Sequence, residues 1–138
     1  MLSPKYNALE DGQDLLLDFS KLQQVAECGQ LLVPVVAQDA VTGEVLIVAH
    51  ANRQALVHSL TEKIATFWST SRNELWIKGA TSGDYLDIVD VWVNCEQNAL
   101  LYRVKPRRKG ACHTLDDLGE ARPSCFYRRI EGSGLVFG

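Results

Sequence analysis

Eight residues, Leu31-Leu32-Val33-Pro34-Val35-Val36-Ala37-Gln38, form a valine-rich apolar run bounded by Gly29 and Asp39, and after a turn at Thr42-Gly43 a second run follows, Glu44-Val45-Leu46-Ile47-Val48-Ala49. Two such runs this close together predict a β-hairpin. Pro34 has no amide hydrogen to give to a ladder, so its strand is expected to be an edge or to carry a bulge there. The same pattern continues downstream: strand-like segments at 64–69, 75–78, 85–93 and 99–104 are separated by turn residues at 71–73, 79–83 and 96–98. Alternation in 85–93 is only partial, because Asp84, Asp87 and Asp90 punctuate an apolar run, so the facing of that strand stays open. Two short helices interrupt the strands. One is expected from Asp18, capped by Asp18 or Ser20, with Phe19, Leu22, Val25 and Ala26 on one face and an end before Gly29; the other runs from Asn52 through 63, with Ala55, Leu56, Ser59 and Leu60 at helical spacing. The expectation is an α+β fold: a compact, β-rich single domain with short helices.

The chain has 138 residues, 46% hydrophobic and 22% charged, enough for one buried core without disulfides. The core domain is placed at 18–131, after a flexible lead-in at 1–17 that carries Pro4 and Gly12, and before a loose, glycine-rich tail at 132–138. A formal net charge of -3 argues against a non-specific nucleic-acid binder. The basic run Arg103-Val104-Lys105-Pro106-Arg107-Arg108-Lys109 is short and broken by Pro106, and reads as a solvated loop. No apolar run reaches the length of a signal peptide core or a membrane span, so no membrane partner and a cytoplasmic, reducing compartment are expected.

In such a compartment an unpaired cysteine is a ligand, a nucleophile or core filler. Cys28, at the end of the first helix, reads as a small buried hydrophobe. Cys95, Cys112 and Cys125 lie 17 and 13 residues apart, which matches no common zinc-finger spacing. From the residues alone a metal site and a set of buried thiols stand side by side; three thiolates converging on one zinc would leave a fourth position open for water. His113 follows Cys112 directly and is the candidate proton-transfer group, since an unperturbed imidazole titrates near neutral pH. His50, after an apolar strand, and His58, on the second helix, read as ordinary histidines.

Taken together, Leu32-Val33-Pro34-Val35-Val36-Ala37-Gln38-Asp39, Thr42-Gly43-Glu44-Val45-Leu46, Asn52-Arg53-Gln54-Ala55-Leu56, Phe67-Trp68-Ser69, Leu75-Trp76, Lys78-Gly79, Thr81-Ser82-Gly83, Ala111-Cys112-His113-Thr114 and Ser124-Cys125-Phe126-Tyr127-Arg128 resemble the phosphoribosyl-AMP cyclohydrolase family of histidine biosynthesis. The resemblance implies an intertwined homodimer whose zinc is held by Cys95 of one chain and by Cys112 and Cys125 of the other. It also implies a hydrolase of cyclic amidines that opens the N1–C6 bond of a small nucleotide-like substrate. Ser69, Ser71, Arg72, Lys78, Thr81, Ser82 and Gly83 would be the substrate contacts, with hydroxyls, cations and a glycine-permitted close approach suited to phosphate and ribose. Trp68 and Trp76 could flank a base, although aromatic strand residues are more often core.

Departures from the family pattern cluster in these same stretches. Where the family carries Asp-Cys-Asp-x-Asp, associated with magnesium, this chain has Asn94-Cys95-Glu96-Gln97-Asn98. Glu96 alone keeps a charge as a weak second-metal ligand, so zinc is expected and magnesium is not expected to bind well. Ile77 replaces a histidine, Thr70 replaces an arginine, and 115–121 lengthens the link between the last two cysteines with acidic residues. Three readings are consistent with this: the family reaction, a paralogue that keeps zinc but takes a different purine-like substrate, and a non-catalytic zinc-binding homologue.

Overall fold

The structure, a computed structural model, describes residues 6–138. The predicted hairpin is β1 (Val33–Asp39) and β2 (Val45–Ala51), antiparallel, with Gly43 at φ 79° in the turn. Asp39 builds that turn: its Oδ1 accepts from the amides of Val41 and Thr42 at 2.8 and 3.1 Å. Next comes α3 (Arg53–Glu62), opened by Asn52, whose side chain accepts from the Ala55 amide at 2.9 Å, and closed by Lys63 in the left-handed region at φ 60°. A second hairpin, β3 (Thr66–Ser69) with β4 (Glu74–Ile77), packs under α3, and β5 (Leu86–Val93) and β6 (Leu100–Pro106) complete the main sheet.

That sheet has the order β2-β1-β6-β5, with β1 and β6 parallel and the other pairs antiparallel. This corrects the expectation for Pro34. Its strand is interior and no bulge lies at Pro34: pairing of β1 with β6 begins only at Val35, one residue later, so no β6 carbonyl awaits the missing amide, and the irregularity falls at Ala37/Gln38 instead. A second irregularity between Ile88 and Asp90 accounts for the broken alternation of β5, turning Val89 outward while Leu86 and Ile88 stay buried.

The core lies between the main sheet, α3 and the β3–β4 hairpin, and centres on Phe67, which stacks on Tyr102 with ring centroids 5.5 Å apart and meets Trp76 at 5.4 Å. Trp76 thus serves the core. Trp68 instead donates its indole NH to Asn73 at 3.0 Å. Buried Ser59 bonds the Ala55 carbonyl at 2.9 Å and accepts from the Thr66 amide at 2.9 Å, so α3 and β3 share one satisfied polar contact. The result is an α+β domain with a mixed sheet and few short helices.

Both ends of the chain depart from expectation. Residues 1–5 of the anticipated lead-in lie outside the described residues, but Ala8–Asp11 forms a short helix, α1, capped by Asn7. The anticipated loose tail is β8 (Gly134–Phe137), paired with β7 (Arg128–Glu131). The two ends hold each other: the Leu135 amide donates to the Gln13 carbonyl at 2.8 Å, Arg128 to the Gly12 carbonyl at 3.0 Å, and the Tyr127 hydroxyl to the Glu10 carbonyl. Helix α2 (Lys21–Glu27) takes the second of the two expected caps and begins after Ser20, while Asp18 accepts from the Ser20 amide and hydroxyl. Its expected apolar face is not buried, with Phe19 91% and Leu22 76% exposed.

Candidate functional site

Two of the three cysteines meet. Cys125 is pinned to β2 by its own amide, which donates to the Leu46 carbonyl at 2.8 Å, and by Ser124, whose hydroxyl donates to the Val45 carbonyl at 2.7 Å. Cys112 is held from the other side, its amide donating to the Arg122 carbonyl at 2.9 Å while the Arg122 amide donates to Thr114 at 3.1 Å. Gly110 makes this crossing possible: a Cβ there would fall 2.2 Å from that of Ala121. Interaction with the Cys125 thiol, with help from Thr114 and from the charge of His113, holds Cys112 well below the usual thiol range; the same interaction, together with burial, pushes Cys125 up. Thr114 Oγ1 lies 3.0 Å from Cys112 Sγ.

Lys78 belongs to this cluster. Its side chain is buried, which pulls its pKa down, and the charges of Asp84, Cys125 and Cys112 oppose that pull. The sequence grouped Lys78 with the substrate contacts, and the structure brings it to the thiol pair; nothing local in the chain distinguishes these two roles. A deprotonated thiol beside a second thiol, with a buried cation nearby, is a donor pair suited to a soft or borderline cation such as zinc. Cys95 is exposed on the turn after β5, and among the described residues no three histidine, cysteine or acidic side chains gather into a metal-holding group.

The Cys95 turn fits magnesium poorly. Asn94 Oδ1 accepts from the amides of Asn98 and Ala99, both at 2.9 Å, and Asn94 Nδ2 donates to Asn98 Oδ1 at 2.6 Å. The two amides satisfy each other, which two carboxylates could do only around a proton or a cation. Glu96 stands exposed on the same turn and joins no metal-holding group of three among the described residues.

His113 points to the surface, 75% exposed, with Nε2 against the Glu10 carboxylate of α1. It lines an open cleft of about 860 Å³ together with Glu10, Thr114, Asp116, Asp117 and Arg122. The acidic insertion supplies one wall of that cleft and folds on itself, since Asp116 Oδ1 accepts from the Leu118 and Glu120 amides at 2.9 and 3.0 Å. Arg122, unremarked in the sequence, is a buried guanidinium 4.0 Å above the Tyr127 ring and 3.4 Å from Asp11. Its only sequence signal was its position three residues before Cys125.

Ser69, Ser71 and Arg72 come together at the β3–β4 turn. Ser69 Oγ accepts from the Arg72 amide and Nε, both at 3.3 Å, and lies 3.4 Å from Ser71 Oγ. Thr81, Ser82 and Gly83 form a separate turn in which Arg108 donates to the Ser82 carbonyl at 3.1 Å and covers Gly83. Gly79, at φ 94°, lets this turn pass Tyr85: a Cβ there would fall 2.3 Å from the Tyr85 amide nitrogen. Cys28 is half-buried and has no second cysteine paired with it among the described residues. No helix among the described residues is long and apolar enough to cross a membrane.

The chain matches the family model described as phosphoribosyl-AMP cyclohydrolase over residues 47–127. It is 47% identical over 106 residues to a phosphoribosyl-AMP cyclohydrolase of Hyphomonas neptunium, covering 77% of this chain and 76% of that one. A protein of the same name from Methanothermobacter thermautotrophicus is 46% identical over 107 residues, 78% of this chain and 72% of its own. A histidine biosynthesis bifunctional protein of Thermus thermophilus is 50% identical over 111 residues, 78% of this chain and 49% of the longer relative.

Proposed function

Because the chain belongs to the phosphoribosyl-AMP cyclohydrolase family, whose members are hydrolases of a cyclic amidine, we propose that it opens the N1–C6 bond of phosphoribosyl-AMP in histidine biosynthesis. The observation that carries this is the pair of buried Cys112 and half-buried Cys125, with Cys112 poised to ionise and buried Lys78 beside it. In this reading Cys112 and Cys125 of one protomer and Cys95 of a second copy hold zinc. Zinc held there supplies Lewis acidity, which makes water nucleophilic at neutral pH.

Net chemistry is hydrolysis: the oxygen of water bonds to C6, the C6–N1 bond breaks, and N1 takes up a proton. His113 moves protons at the cleft mouth, oriented by Glu10. Lys78 holds positive charge beside the thiolate, and Ser69, Ser71 and Arg72, with the Thr81-Ser82-Gly83 turn, bind the sugar phosphates. This reading implies a homodimer, since Cys95 stands on an exposed turn; Val89, Trp92 and Val93 of edge strand β5 are exposed beside it, an apolar surface suited to a second copy. Magnesium has no part in this reading, since the Asn94–Asn98 pair leaves it no anionic cage. The relatives bear the name of a hydrolase, so the non-catalytic alternative has no support. A different purine-like substrate is favoured only by Ile77, which places an apolar side chain where the family carries a histidine.

Zinc-loaded protein is expected to turn over phosphoribosyl-AMP at an enzymatic rate, followed by absorbance, with one zinc per chain by metal analysis. Bound zinc without turnover would transfer the site to another substrate, and turnover by fully metal-free protein would remove zinc from the mechanism.

A further inference from the structure

A second cleft, of about 400 Å³, lies between α2 and the β3–β4 turn, lined on one side by Ser20, Gln24 and Glu27 and on the other by Thr70, Ser71 and Asn73. Lys21 bridges its two walls: Nζ donates to Gln24 Oε1 at 3.1 Å and to Thr70 Oγ1 at 3.0 Å. Both partners are neutral. An ammonium carries three donors, so one remains, and its charge is not matched by a carboxylate: among the described residues Lys21 enters no ion pair. Two carboxylates stand near it without reaching ion-pair distance: Asp18, which feels the Lys21 charge and accepts from the Ser20 amide and hydroxyl, and Glu27, which accepts from the Gln23 amide group at 3.0 Å. Arg72, the other cation of the turn, is partly neutralised by Glu74 at 3.5 Å.

We propose that this cleft is a phosphate subsite in which Lys21 is the cation and the hydroxyls of Thr70 and Ser71 are the hydrogen-bond donors. Its ligand class is a sugar phosphate monoester. The inference rests on the function proposed above, whose substrate carries two such monoesters, one on the AMP ribose and one on the ribose attached to N1. The Ser69–Ser71–Arg72 turn faces one, and Lys21 brings α2 to the same turn as a second wall, so a segment outside the matched family region takes part in substrate specificity. Phosphate suits this cleft better than a carboxylate would, because two hydroxyl donors and one mobile ammonium can follow a tetrahedral dianionic group from different sides.

The test uses the full-length zinc-loaded protein with Lys21→Met, Lys21→Gln and Lys21→Arg. Steady-state turnover of phosphoribosyl-AMP is read beside calorimetric binding of ribose 5-phosphate and of ribose. Lys21→Met and Lys21→Gln are expected to raise KM about ten- to hundredfold, with kcat changing far less, and to weaken ribose 5-phosphate by a similar factor. Binding of ribose is expected to stay as it is, and Lys21→Arg to recover most of the loss. Gln keeps a donor for Thr70, so a helix tether alone would leave Lys21→Gln close to wild type; that result, or an unchanged ribose 5-phosphate affinity in Lys21→Met, overturns the subsite. Should the wild-type protein fail to turn over phosphoribosyl-AMP, the probe still decides: loss of ribose 5-phosphate binding in Lys21→Met keeps the subsite while the substrate assignment falls.

Discussion

Asn94 Nδ2 donates to Asn98 Oδ1 at 2.6 Å, closing the turn that carries Cys95 with a contact between two amides. Either residue alone can become Asp, because the partner amide still donates to it. Both together place two carboxylates at one contact in an exposed turn, at a cost of about 1 kcal/mol. Asn94→Asp and Asn98→Asp should each leave the thermal midpoint within a degree or so, while the double variant drops by about 3 °C in EDTA and regains this on adding Mg2+. Wild type should ignore Mg2+ in both midpoint and turnover; a wild-type rate that rises with Mg2+ would contradict the reading of this turn.

The proposal that two copies share each zinc is decided by a subunit-mixing experiment. Cys95→Ser and Cys112→Ser homodimers should each lose zinc and activity. After exchange of equal amounts, half of the dimers are mixed and each keeps one intact site, so activity should return to about a quarter of wild type. No recovery, with exchange verified by mass spectrometry, would place all zinc ligands in one chain.

His113→Ala should lower turnover about a hundredfold while zinc stays bound, and Glu10→Gln should cost about tenfold by releasing the ring. An unchanged rate in His113→Ala would leave that histidine as a surface contact of α1.

The pH dependence of stability has one clear contributor in His50. Burial, and next the charge of Lys21, hold its pKa below the ordinary value of 6.5. The folded state therefore takes up a proton less readily than the unfolded chain. Its contribution is complete above the unfolded value and is lost as pH falls through the folded one. Denaturant unfolding of wild type should weaken from pH 7 toward pH 5, and His50→Gln should flatten that slope. Lys21→Met should raise the His50 pKa in an NMR titration by removing the second cause.

Arg122 anchors the chain ends with a stack on Tyr127 and an ion pair to Asp11. Arg122→Met should cost about 2 kcal/mol, or roughly 6 °C in Tm, and expose residues 6–14 to proteolysis. Equal protease resistance would mean that β8 alone holds the N-terminal segment.

What could be read from the chain was what depends on near neighbours. The β1–β2 hairpin is set by valine-rich runs and the Asp39 turn, and α3 by the Asn52 cap, and both appeared within a residue or two of expectation. The interior position of Pro34 was not legible, because it depends on β6 arriving in parallel from far along the chain. The tail looked loose because its glycines mask a strand stabilised by pairing with β7 and by contacts with Gln13 and Asp14. At the site, the cysteines were legible as residue types, yet only the fold separates Cys112 and Cys125 from Cys95. The role of Lys78 depends on burial beside those thiols, which no local pattern encodes. The link of Lys21 to Thr70 joins a helix to a distant turn and was invisible for the same reason.

Because β1 lies between β2 and β6, its outer edge stays bare during synthesis until the ribosome has released residue 104, and the thiol pair closes only once residue 125 has followed. Until then the nascent chain presents an open strand of valines, a template for pairing with other chains. The proposed metal would therefore be captured only at the end of assembly, and a chain truncated before Cys125 would carry most of the sheet but neither the Cys112–Cys125 pair nor the hairpin that ties down its beginning.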